Sequence, residues 1–132
     1  MAQTTTLKST MQRKKNPMIS CVIPVFNEAE NIQPLIKAVW PKLQDHSSLC
    51  ELIFVDDGST DDSCHMITKM MQHYPVRLIQ LSRNFGKEQA ITAGLTHSHG
   101  DVVILMDADG QHPAEILPKF FKLWQQGYNM VY

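Results

Sequence analysis

The sequence predicts an α/β domain built on a mostly parallel sheet flanked by helices. Three observations carry that expectation. Short apolar runs alternate with segments of helical periodicity, in the order β-α-β-α-β-α-β-α, which calls for a parallel sheet with right-handed crossovers. The run Val102–Leu105 is unbroken and apolar, the pattern of a strand buried on both faces. Several of the strand candidates end on acidic residues, so the acids gather at the carboxyl ends of the strands, where open α/β sheets bind ligands.

The totals agree with one ordinary domain. A chain of 132 residues is long enough for one real core and short for two. With 43% hydrophobic and 19% charged residues, its bulk belongs to no disorder class. A net charge of −1 argues against nucleic acid as a partner. Cys21, Cys50 and Cys64 are odd in number and widely spaced, which suits reduced thiols better than a disulfide or zinc framework. No run approaches the ~18 apolar residues of a membrane span, and no apolar leader opens the chain. A cytoplasmic chain without a transmembrane segment is therefore expected.

Residues 1–17 are polar, Thr-rich and basic, with Lys8, Arg13, Lys14 and Lys15 ahead of the first acid, Glu28. They read as a flexible arm, ahead of a domain over residues 18–132. Such an arm is usually solvated, and it can also lie on the anionic cytoplasmic face of a membrane.

Residues 18–26 read as the first strand, with Pro24 near its end because proline removes a ladder donor. Ile32, Leu35, Ile36, Val39, Trp40 and Leu43 then recur at helical spacing. Pro34 is tolerated near a helix start, which puts that start at Glu30 or Asn31, and Pro41 should end or kink the helix. Residues 51–56 form the second strand and run into Asp57-Gly58-Ser59-Thr60-Asp61-Asp62, a turn rich in helix-capping residues. Met66, Ile67, Met70, Met71 and Tyr74 share a face of the next helix, which Pro75 closes. Their role is core packing, since methionine fills irregular gaps.

Residues 76–81 read as the third strand, and Ser82-Arg83-Asn84-Phe85-Gly86-Lys87 is a loop with two cations and a glycine. Ala90, Ile91, Gly94 and Leu95 give a small-residue helix that can pack close to a sheet. The fourth strand follows, then a helix over residues 113–126 with Ile116, Leu117, Phe120, Phe121 and Trp124 inward and Gly127 as its cap. Met130, Val131 and Tyr132 read as the beginning of a fifth strand. His97 and His99 read as turn residues, because no neighbouring Cys or acid completes a ligand set.

A doubly wound strand order of 3-2-1-4 puts the first and fourth strands side by side at the switch point. Glu28, Asp56, Asp57, Asp107 and Asp109 then converge. Asp107 and Asp109 repel one another unless a cation joins them. A hard divalent ion takes such oxygen ligands and leaves room for substrate phosphates. The site so formed would hold a diphosphate; the plainer alternative is an acidic turn that caps the next helix. No GxGxxG follows the first strand and no GxxxxGK[ST] occurs, which argues against a nicotinamide dehydrogenase and a P-loop enzyme.

Four pieces in order carry a family resemblance: Val22-Ile23-Pro24-Val25-Phe26-Asn27-Glu28, Val55-Asp56-Asp57-Gly58-Ser59, Ser82-Arg83-Asn84-Phe85-Gly86-Lys87-Glu88, and Met106-Asp107-Ala108-Asp109-Gly110-Gln111-His112-Pro113. The chain resembles the family-2 glycosyltransferases of the GT-A fold. The nearest branch includes dolichol-phosphate-mannose synthase and the bacterial polyprenyl-phosphate glycosyltransferases. The likeness runs from Met18 to Tyr132.

The resemblance implies a Rossmann-like GT-A half that binds a UDP- or GDP-sugar and passes the sugar to a polyprenyl phosphate at a membrane surface. It implies nucleotide contacts at Pro24, Phe26 and Glu28, with Phe26 where the family often has tyrosine. It puts Val55 and Asp57 beside the base, Arg83 and Lys87 near phosphate, and Ala108 within the donor site. Asp107, Asp109 and Gln111 would hold Mg²⁺ or Mn²⁺. Asp109 would be the catalytic residue, through the metal that neutralises the departing diphosphate. A phosphate acceptor is already ionised and needs little help from a base. The family's domain continues beyond such a stretch, so the chain is expected to be incomplete at its C-terminus. The alternative is a truncated nucleotide-binding remnant without turnover.

Overall fold

The structure, a computed structural model, describes residues 16–109 and 113–127. Strands and helices alternate as expected: β1 (Ile19–Val25), α1 (Ala29–Gln44), β2 (Cys50–Asp56), α2 (Ser63–Met70), β3 (Val76–Gln80), α3 (Lys87–Thr96), β4 (Val102–Leu105) and α4 (Pro113–Gln125). The sheet order is β3-β2-β1-β4 and every pairing is parallel. This is the doubly wound order expected from the sequence. β1 and β2 pair along their full lengths, from Ile19 opposite Cys50 to Val25 opposite Asp56.

The alternation of side chains along β1 and β2 divides the core. One face carries Ile19, Cys21, Ile23, Leu52 and Phe54. It packs with Ile32, Ile36 and Leu43 of α1, Ile67 of α2, and Leu117 and Phe121 of α4. The other face carries Val22, Ile53 and Val55 and receives Ala90 of α3. Gly94 lets α3 lie flat on the sheet: a Cβ there would collide with Val22 Cγ1 and sit 3.1 Å from Val55 Cγ2. Covered on both faces, β2 is buried at every position, with an apolar run Leu52–Val55 between its charged residues Glu51 and Asp56.

At the amino end of the sheet, the buried Glu51 ties the elements together. It accepts hydrogen bonds from Ser20 Oγ at 2.6 Å, Arg77 Nη1 at 2.8 Å and the His99 amide at 3.1 Å. Burial alone would raise its carboxyl. The bonds from Ser20, Arg77 and His99, with the charge of Arg77, outweigh that and hold it below the usual carboxylate range.

Several expectations need correction. α1 runs through Pro41 to Gln44 instead of ending or kinking there, and it starts at Ala29. Pro41, and Lys37 whose carbonyl it leaves unbonded, both lie on the exposed face, so water can serve the freed group. β4 is not buried on both faces: Leu105 is 49% exposed, because β4 is an edge strand among the described residues, paired with β1 alone. α2 stops at Met70, which turns Met71 out to solvent, and Leu95 and Ile116 are also exposed.

Asn16 Nδ2 donates to Ser48 Oγ at 2.9 Å, the Ser48 amide donates back to Asn16 Oδ1 at 3.0 Å, and Pro17 is buried. Residues 1–15 and the expected fifth strand lie outside the described residues.

Candidate functional site

The carboxyl ends of β1, β2 and β4 meet at one edge of the sheet, and their turns build a cleft. The turn after β1 is locked by Asn27. Its φ of 53° is one that asparagine tolerates better than most residues. Its Oδ1 accepts from the amides of Thr60 at 2.8 Å and Asp61 at 3.2 Å, and its own amide donates to Ser59 Oγ at 2.9 Å. This joins the β1 turn to the β2 turn and leaves Phe26 46% exposed beside them.

β2 ends on two buried acids with different partners. Asp56 Oδ2 accepts from the Ser59 amide at 3.2 Å, which closes the turn, and its Oδ1 has no hydrogen-bond partner among the described residues. The Asp57 amide donates to the Val25 carbonyl at 2.8 Å. Its carboxylate accepts from the Phe85 amide at 2.8 Å and the Gly86 amide at 3.0 Å.

After β4 the chain alternates. Met106 and Ala108 are buried, whereas Asp107 and Asp109 are exposed. The small apolar residue between the two acids pins the turn to the core and presents both carboxylates outward. Lys87, the first residue of α3, reaches Asp107 with an Nζ–Oδ1 distance of 2.5 Å. Both side chains are more than half exposed, so the pair is worth only about 0–1 kcal/mol. It can exchange for a ligand at little cost.

One cleft is lined by Pro24, Val25, Phe26, Glu28, Asp57, Lys87, Asp107, Ala108 and Asp109. A groove beside it adds Ile91, Leu105 and Met106. Most of the residues singled out from the sequence are thus brought together. Four are not placed there, and one of them is Asp56, which is buried and accepts from the Ser59 amide within the β2 turn. The side chain of Val55 is fully buried between sheet and α3, on the face of β2 that α3 covers. Arg83 is exposed and lies over the Phe85 ring at 4.7 Å, away from the cleft lining. Gln111 lies outside the described residues. Sequence reasoning missed the groove residues Ile91 and Leu105. The one available signal was their position beside Lys87 and Asp107.

Among the described residues, no three His, Cys, Asp or Glu side chains converge as a closed metal cage. Two outward carboxylates on an open cleft still suit Mg²⁺ or Mn²⁺, which take one or two protein carboxylates and fill their remaining positions with phosphate oxygens and water.

Fold and cleft define a Rossmann-like α/β domain of the GT-A type, with its acids at the switch point. The chain belongs to glycosyl transferase family 2, whose sequence profile matches residues 20–132. It is 39% identical over 118 residues to CsbB of Bacillus subtilis (strain 168), which bears the name of a glycosyltransferase; the match takes in 89% of this chain and 36% of that protein. Two solved structures share the fold. The mannosyltransferase PcManGT of Pyrobaculum calidifontis, in complex with GDP-Man and Mn²⁺, superposes with a TM-score of 0.62 at 27% identity, over 76% of this chain and 30% of its own. The glucosyl-3-phosphoglycerate synthase of Mycobacterium tuberculosis, with Mn²⁺, UDP and glucosyl-3-phosphoglycerate, gives a TM-score of 0.68 at 26% identity, over 84% of this chain and 40% of its own. The chain therefore spans well under half the length of these relatives.

Proposed function

We propose that this domain is the donor-binding part of a glycosyltransferase that takes a sugar from a UDP- or GDP-sugar. The observation that supports it most is the convergence of Asp107, Asp109, Lys87, Glu28 and Asp57 in one cleft at the switch point. Phe26 offers an exposed ring face on which a base can stack. Lys87 sits where a diphosphate would need a cation, already drawn there by Asp107. Asp107 and Asp109 are the residues that would hold Mg²⁺ or Mn²⁺. When bound, that ion supplies Lewis-acid neutralisation of the charge that grows on the departing nucleoside diphosphate. The protein's part is to fix the donor and to place positive charge at the leaving group before reaction.

The acceptor in this reading is a polyprenyl phosphate at a membrane surface. The run Ser82-Arg83-Asn84-Phe85-Gly86 and the basic residues before Glu28 support it. Calorimetry with UDP and GDP, in Mn²⁺ and in excess chelator, tests the donor reading. Binding is expected with the ion. Equal binding in chelator would remove the metal from the site, and no binding of either nucleotide would sink the reading.

A further inference from the structure

We infer that Asp57 is a positioning residue, which clamps the loop over residues 82–86 and so sets Lys87 against Asp107. The inference rests on the reading above, in that it takes the cleft to be a site for a diphosphate and a divalent ion. Both Asp57 oxygens are engaged by the loop backbone, through the Phe85 amide at 2.8 Å and the Gly86 amide at 3.0 Å. Hydrogen bonds to an ionised carboxylate are roughly twice as strong as neutral ones. The anchor itself is fixed: Asp57 is 5% exposed, and its amide donates to the Val25 carbonyl at 2.8 Å.

A second contact reinforces the first. Gly58 has a φ of +76°, and a Cβ there would lie 2.5 Å from the Asn84 nitrogen and 2.7 Å from the Arg83 carbonyl carbon. The β2 turn and the loop thus touch backbone to backbone, at a spacing only glycine permits. Gly86, with φ +104°, then turns the chain into α3, and Lys87 is the next residue. No flexible spacer separates the clamped amide from the lysine. Segments far apart in the chain, the β2 turn and the β3–α3 loop, therefore act as one part.

A carboxylate has about four lone-pair sites, so Asp57 can also accept from a base while it holds the loop. The two roles differ for a ligand that has no base. The probe is inorganic pyrophosphate with Mn²⁺, titrated by calorimetry alongside UDP with Mn²⁺. Asp57→Asn and Gly58→Ala are each expected to weaken pyrophosphate about tenfold, with UDP weakened by the same factor in Gly58→Ala and by at least that factor in Asp57→Asn. In a Lys87→Met background the same two substitutions should change pyrophosphate affinity by under about twofold, since the clamp acts through that lysine.

Retained pyrophosphate affinity in Asp57→Asn, with UDP affinity lost, would overturn the inference and leave Asp57 a base contact only. Failure of the unmodified chain to bind either probe is a failure of the donor reading instead. The clamp is then judged on the unmodified chain by amide hydrogen exchange. Strong protection of Phe85 and Gly86 is expected, and exchange at the rate of a free amide would overturn it. The same measurement decides the matter if a variant does not fold.

Discussion

Asp107 and Asp109 face the cleft because Met106 and Ala108 are held in the core. The two carboxylates then differ in their surroundings. Asp107 is met by Lys87 at 2.5 Å, and Asp109 lines the cleft on the other side of the pinned alanine. Asp109→Asn removes a charge from an exposed side chain, so stability should stay within about 0.5 kcal/mol of the parent. If Asp109 holds the ion as proposed, affinity for UDP or GDP in Mn²⁺ should fall at least about tenfold. A thermal melt and a titration on one preparation check both halves. Phe26→Ala should weaken the nucleotide but spare pyrophosphate, because the ring can meet only a base. Phe26→Tyr should restore the nucleotide, since stacking does not need the hydroxyl.

The elements that carry these residues are held by their own chemistry. Gly94→Ala would push a Cβ into Val22 Cγ1, and overpacking of this kind costs about 1–3 kcal/mol. Urea unfolding would show it, and an unchanged midpoint would mean that α3 can lift away from the sheet. Glu51→Gln should cost about 1.5–3 kcal/mol, because it weakens charged hydrogen bonds at a buried carboxylate. The strand order was readable because β1, β2 and β4 are apolar runs that each end on a turn with an acid. The lining of the candidate cleft was readable where a motif coincided with a strand end, as at Glu28, Asp57 and the Asp107 turn. Other features depend on direction in space. Val55 lies on the face covered by α3, Leu105 lies on an edge, and Pro41 lies on the wet side of α1; periodicity alone does not fix any of these. The bonds from Asp57 to Phe85 and Gly86 join two loops, and no local pattern announces them.

At the scale of the whole molecule, three groups give the fold an acid limit: His46, Glu51, and Asp61, whose carboxyl is held below its ordinary range by hydrogen bonds from Ser63 and the Ala29 amide. The pKa of His46 is lowered from 6.5 by burial and by Lys42, against the opposing pull of Asp45, and its ring stacks on Phe121 at 4.2 Å. The folded chain binds that proton less readily than the unfolded chain, so stability is lost as pH falls through 6.5 and below. Glu51 is held below its ordinary 4.5, so its contribution is complete above that value and is lost as pH falls through the folded value, and Asp61 follows the same sign. Denaturant midpoints measured from pH 7 down to pH 3 should fall in two stages, and His46→Phe should remove the upper one. No helix of the described residues is long and apolar enough to cross a membrane. Donor binding at the switch point is tested most directly by nuclear magnetic resonance with paramagnetic Mn²⁺ added to the UDP-saturated chain. Broadening should centre on the amides of Asp107, Ala108 and Asp109, extend to Lys87 and Glu28, and vanish in Asp109→Asn. Broadening centred elsewhere, or unchanged in that variant, would contradict a metal-assisted donor site at the ends of β1, β2 and β4.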